Sequence, residues 1–248
     1  MKRFAIAFVL LAAACGQREP AEAPVAEAEI VFDAAGNRMT ELQQGPNGQC
    51  TIDGAWCVNI SDGAARVTHA SAAIAIPVAD EAAAGVWPHI ILSGETTLIG
   101  VTTEVTTPYS GGGGQATHVT LYEIANGAAR PVLTAPLAGA LTIRACFSDE
   151  DVQARFEACA DEYSFAGDLA LDRENTDAAP RLVLTTEAST YPGRRNRAED
   201  SSVNPPRSAA DLVRWRDEGC SYRRVARREG TSYVWDAPLP ACTDYLEP

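Results

Sequence analysis

Residues 50–69 read CTIDGAWCVNISDGAARVTH, two Asp-Gly dipeptides set among short runs rich in β-branched residues. Asp-Gly signals a two-residue type I′ turn, because both central positions of that turn need positive φ. Counting outward from Asp53-Gly54 opposes Ile52 and Ala55, Thr51 and Trp56, and Cys50 and Cys57. Opposed residues of an antiparallel pair have Cα atoms about 4.5–5.5 Å apart, within reach of a disulfide. Counting from Asp62-Gly63 opposes Val58 and Val67, and Trp56 and His69.

The same grammar recurs outward. THVTLYEI (117–124) and ARPVL (129–133) flank Asn126-Gly127, a register that sets Glu123 against Arg130 as an opposite-charge cross-strand pair. TLIGVTTEVTT (97–107) joins THVTLYEI through the glycines at 111–114, read as a hairpin tip. Further strands are expected in YSFAGDLALD (163–172) and RLVLTTEAST (181–190), a hairpin in SYRRVARREGTSYVWD (221–236), and a short amphipathic helix in SAADLVRW (208–215). Repeated β-branched runs between turn dipeptides predict a mainly β fold. Antiparallel hairpins and a meander would form a β-sandwich or barrel-like domain with minor short helices.

The chain opens MKRFAIAFVLLAAAC, with Lys2 and Arg3 before an apolar run and small residues before Cys15. That order is a secretory signal, and its apolar run is shorter than the roughly 20 residues a spanning helix needs. The segment resembles the lipobox of bacterial lipoproteins, with Ala12 where a leucine is common. The resemblance covers residues 1–16 and implies cleavage before Cys15, a diacylglyceryl group on its thiol and an acyl chain on its new amino terminus. It also implies an envelope protein facing the periplasm. Gly16 is not the aspartate that commonly retains lipoproteins in the inner membrane, so the outer membrane is the expected leaflet. Ordinary secretion with cleavage after Ala14 is the alternative.

The implied organisation is a signal peptide at 1–14, lipidated Cys15 with an Ala/Glu/Pro-rich tether at 15–29, and one β-rich domain at 30–248. A division into two lobes near 143 is the alternative. The tether carries no aromatic residue and too little apolar surface to order itself.

Seven cysteines are an awkward number for an exported chain. With Cys15 lipidated, Cys50, Cys57, Cys146, Cys159, Cys220 and Cys242 can close as three disulfides in an oxidising compartment. Cys220 and Cys242 flank the 221–236 hairpin and would staple its base. For Cys146 and Cys159 the reading stays open, because Ser148 followed by Asp149, Glu150 and Asp151 reads as an N-cap and acidic first turn of a helix. An unbroken helix would part them by about 20 Å. Either that helix is a turn or two long, or these cysteines pair elsewhere.

The formal net charge is −13, which argues against nucleic acid as a partner. Cationic residues are uneven, with 14 of 20 from Arg144 onward. Arg194, Arg195 and Arg197 in the polar loop 192–207, with Arg223, Arg224, Arg227 and Arg228 on a strand, form the candidate anion-binding set. Strand alternation sends Arg223 and Arg227 to one face and Arg224 and Arg228 to the other.

Lys2 is the only lysine, which excludes lysine nucleophiles and a Walker phosphate loop from the mature chain. His69, His89 and His118 stand on separate predicted strands without metal-ligand spacing, so no metal or cofactor is expected. Ser93 and Ser110 lack a GxSxG elbow and read as turn residues. Trp56, Trp87, Trp215 and Trp235 read as core aromatics or, less simply, a carbohydrate platform. The sequence therefore points to a lipid-anchored binding or structural module, with the membrane, an envelope protein or an anionic glycan as partners. An envelope hydrolase of glycan or ester bonds is the alternative. Convergence of the three histidines in one cleft would favour the hydrolase, and dispersion the binding module.

Overall fold

The computed structural model describes residues 29–94, 96–199 and 208–248; Cys15, the signal and nearly all of the tether lie outside the described residues. The chain enters through β1 (Ile30–Phe32) and β2 (Arg38–Glu41). Five short strands follow: β3 (Gln43–Gly45), β4 (Gly48–Cys50), β5 (Trp56–Ser61), β6 (Ala64–His69) and β7 (Ala72–Pro77). Next come the long strands β8 (Ala84–Ser93), β9 (Thr96–Tyr109), β10 (Gly112–Ala125) and β11 (Ala128–Arg144), then helix α1 (Asp149–Ala154). The remainder is β12 (Ala160–Leu171), β13 (Leu182–Tyr191), β14 (Trp215–Arg216), β15 (Arg223–Glu229), β16 (Ser232–Trp235) and helix α2 (Thr243–Leu246).

Two antiparallel sheets form a sandwich-like, mainly β domain. The small sheet is the meander β3-β4-β5-β6-β7, and the large one runs β1-β2-β8-β9-β10-β11-β12-β13-β15-β16 with β14 beside β13. The registers read from the turn dipeptides are realised, with Cys50 opposite Cys57, Val58 opposite Val67, Trp56 opposite His69 and Glu123 opposite Arg130. Asp53-Gly54, however, is not a type I′ turn, because Asp53 lacks positive φ. Residues 51–55 form a wider loop in which Asp53 Oδ1 accepts from Thr51 Oγ1 and the Ala55 N–H. In the other two turns Asp62 and Asn126 take the positive φ that type I′ needs, at 52° and 51°.

Strand alternation divides the core. Leu42, Val58, Val67 and Ile76 pack on Ile90, Ile99 and Val101 between the sheets. Their chain neighbours Ile91 and Leu98 turn to the opposite face of the large sheet and join Val119, Leu121, Leu169, Leu182, Leu184 and Ala226. Residues 90–91 of β8 and 97–101 of β9 are thus buried on both faces, which is why IIL and TLIGV read as nearly continuous apolar runs. Met39 and Tyr233, from strands near the two ends of the large sheet, share that second core. The large sheet therefore curls over on itself, and the alternatives of sandwich and barrel both describe part of the molecule. Each fully buried Leu or Ile here contributes about 1.5–3 kcal/mol of transfer free energy.

Buried polar groups hold the curl. Glu123 of β10, 4% exposed, accepts from Arg228 Nη1 at 2.8 Å and Nη2 at 3.0 Å across the core, and from Arg130 Nη2 at 2.6 Å. Asp33 takes Asn37 Nδ2 at 2.7 Å and Asn175 Nδ2 at 2.9 Å, tying the β1–β2 turn to the β12–β13 connection.

Two local expectations are corrected. Gly111 sits in the β9–β10 hairpin tip with φ 88°, but Gly112, Gly113 and Gly114 are strand residues. A Cβ on Gly112 would lie 2.0 Å from the Thr142 carbonyl oxygen, and one on Gly114 would lie 2.6 Å from Pro248 Cβ, so the glycines permit close approach. The segment 208–215 is not an amphipathic helix: a 3-10 turn spans Ala209–Asp211, and Trp215 pairs with Thr190 of β13. Pairing to an open stretch of β13 outcompetes the local helical pattern there.

Candidate functional site

Where the large sheet curls, its open end forms a pocket of about 220 Å³ lined by Glu29, His89, Asp168 and Arg173 above Val31, Met39, Leu169 and Leu171. Mouths of β-barrels are common ligand sites because the fold leaves concavity there without disrupting a core. β8 is irregular between Val86 and Ile90, which places Trp87 in the core and His89 beside it, ring centroids 5.0 Å apart. A local irregularity of this kind re-aims side chains.

His89 Nδ1 is buried and has no hydrogen-bond partner. Burial pushes the imidazole pKa below its ordinary value, while Glu41, Asp168 and Glu29 pull the other way without prevailing. The ring is therefore neutral at neutral pH. Glu41 faces His89 across the β2–β8 pair, and Arg173 reaches Glu29 only at 3.9 Å with both side chains well exposed. The pocket thus combines one uncharged imidazole, an excess of carboxylate and an apolar floor. It suits a small ligand with an ammonium or hydroxyl group; no serine, threonine or cysteine nucleophile lines it among the described residues.

Two other concavities lie along the sandwich. One, of about 220 Å³, has Trp56 stacked on His69 at 4.0 Å. The other, of about 580 Å³, runs from the end of β7 along β9 and β10 and is lined by Thr103, Thr106, Thr120, Tyr122, Asp80 and Glu104. His69 and His89 line separate pockets, and His118 lines neither of these nor the threonine-lined groove. The tryptophans are equally dispersed: Trp56 on His69, Trp87 and Trp235 against the curled core, and Trp215 beneath Arg194 at 5.2 Å. Among the described residues no group of three or more His, Cys, Asp or Glu side chains is arranged to hold a metal.

All three disulfides join neighbours in sequence: Cys50–Cys57, Cys146–Cys159 and Cys220–Cys242, with Cα separations of 4.0, 4.9 and 5.8 Å. The open question at Cys146 is resolved by the shortness of α1. Phe156 and Glu157 then take positive φ and return the chain to Cys159.

The arginines do not share one surface. Arg228 is neutralised by Glu123, Arg224 lies over Tyr222 at 5.4 Å, and Arg223 and Arg227 are exposed on the opposite face of β15. In the loop, Arg197 donates to the Thr243 and Glu247 carbonyls, Arg194 covers Trp215, and Arg195 is half-buried with its Nε unpartnered. Residues 200–207 of that loop lie outside the described residues. Sequence reading missed the His89 pocket, because only the curl brings β12 beside β1 and β8. The one local signal was a histidine next to the apolar run IIL.

No family description, no curated protein and no solved structure matches this chain.

Proposed function

We propose that this chain is a binding module of the cell envelope, exported by its signal, anchored in the outer membrane by lipid on Cys15 and facing the periplasm. It holds a small amine- or hydroxyl-bearing ligand in the His89 pocket. The observation that carries the ligand reading is the unpartnered, buried His89 Nδ1 beside Glu29, Glu41 and Asp168. Three disulfides support an oxidising compartment, and dispersion of the three histidines supports binding over hydrolysis. Glu29 lines the pocket at the junction with the tether, so ligand is held at the membrane-proximal root of the domain.

The test is histidine-selective ¹⁵N spectroscopy of the full chain, with ethanolamine and glucosamine as probes. The His89 ring signals should shift saturably with at least one probe while those of His69 and His118 stay fixed, and His89→Ala should abolish binding. Binding of an ammonium probe should weaken as pH falls through the lowered His89 pKa, because the imidazolium then repels it. Probe-independent His89 signals would overturn the ligand reading.

A further inference from the structure

The loop closed by Cys146–Cys159 is framed more firmly than a connection between two strands requires. The Ser148 side chain and Asp151 form a reciprocal capping box at α1. Arg155 and Asp161, 4% and 1% exposed, form a buried ion pair, and Arg155 Nε donates to the Ala158 carbonyl at 2.9 Å. The return turn holds Phe156 at φ 50° and Glu157 at φ 65°, a left-handed conformation that bulky side chains avoid. Strain of this kind persists only where surrounding structure imposes it, and it clusters at functional sites.

This frame points apolar surface outward. Phe147 is 63% exposed and Phe156 is 50% exposed, both on the same closed loop. Asp149, Glu150 and Glu157 are exposed on the same loop, with Arg144 over the Phe147 ring at 5.1 Å as the local cation. Rigid aromatic anchors are what interfaces use, since little entropy is lost on binding. The acids set the sign of the partner, and the chain's net charge of −13 opposes both a second copy and an anionic surface.

We propose that the 146–159 loop is a docking element for a protein segment that is basic and apolar, such as an amphipathic helix bearing lysine or arginine. The two phenylalanines enter apolar contacts while Asp149, Glu150 and Glu157 face the cations. This surface is separate from the His89 pocket and stands or falls independently of it.

The test uses the full chain carrying Cys15→Ser, so that no lipid is present. An amphipathic leucine–lysine peptide is the probe, with its leucine–glutamate counterpart as control, both titrated by calorimetry at low and high salt. The lysine peptide should bind and the glutamate peptide should not. Phe147→Ser with Phe156→Ser should weaken binding at least about tenfold, with an unchanged melting temperature because both rings are exposed. Asp149→Lys with Glu150→Lys, which leaves the capping box intact, should weaken it further at low salt than at high salt. Equal affinity in the phenylalanine variant, equal binding of both peptides, or no binding of the lysine peptide would overturn the proposal. So would phenylalanine-dependent binding to phosphatidylcholine vesicles or phenylalanine-dependent self-association in its place.

Discussion

The small sheet and the large sheet are built from the same hairpins, yet they are held by different kinds of interaction. In the small sheet every strand pairs with its neighbour in sequence, and Cys50–Cys57 lies within one hairpin. The large sheet skips over that whole meander to pair β2 with β8, and later brings β13 against β15 across a long connection. Its curl is then fixed by partners far apart in the chain, Glu123 with Arg228 and Asp33 with Asn175. Local turn chemistry suffices for the first sheet; the second needs buried polar groups to specify which ends meet.

The strongest way to break this contrast is Glu123→Ala, which strands Arg228 and Arg130 around a core. It should cost about 3 kcal/mol, the scale for losing hydrogen bonds to charged groups and below that for a fully buried pair because Arg228 and Arg130 stay 27% and 44% exposed, read by urea unfolding. Burial alone would raise the Glu123 carboxyl pKa, but hydrogen bonds and charge from Arg228 and Arg130 outweigh it and hold the carboxyl below its ordinary value. Its stabilisation is therefore fully present above the unfolded-state pKa of about 4.3. It fades as pH falls through the lower folded value. Glu123→Gln should lose part of the acid-dependent stability, and an unchanged acid limb would contradict the assignment.

Removing Cys220–Cys242 by paired serine substitution should cost about 3 kcal/mol, because the bridge closes a longer loop than the other two. The C-terminal cap, where Tyr245 packs on Tyr163 and Phe165, should loosen first in hydrogen exchange. Removing Cys50–Cys57 the same way should cost about 2 kcal/mol, with exchange rising in β4 and β5 and little change in the curled sheet. Spread of that loss into β10 and β15 would erase the contrast between the sheets. The smallest effect belongs to Arg66→Ala: its ion pair with Asp62 joins side chains 46% and 78% exposed, and its loss should stay under about 0.5 kcal/mol.

What could be read from the sequence follows the same division. Asp62-Gly63 and Asn126-Gly127 fix their registers within a few residues, so Trp56 against His69 and Glu123 against Arg130 follow by counting. Nothing local marks Arg228 as the second partner of Glu123, because that contact exists only after the sheet curls. The His89 pocket is hidden for the same reason. The 208–215 segment shows the converse, a helical pattern overridden by strand pairing that only the fold supplies. The glycines at 111–114 divide: Gly111 sits in the β9–β10 hairpin tip as its composition suggests, while Gly112 and Gly114 are strand residues that let β11 and the C-terminus approach closely.

The domain is stapled by three local disulfides, and its proposed export and anchoring rest on lipid at Cys15. Mass spectrometric mapping of the protein taken from membranes, alkylated without reduction, tests both most directly. It should show Cys50–Cys57, Cys146–Cys159 and Cys220–Cys242 as the pairs and an acylated amino-terminal Cys15 peptide. A free thiol among the six, a different pairing, or an unmodified Cys15 in the membrane fraction would contradict one or the other.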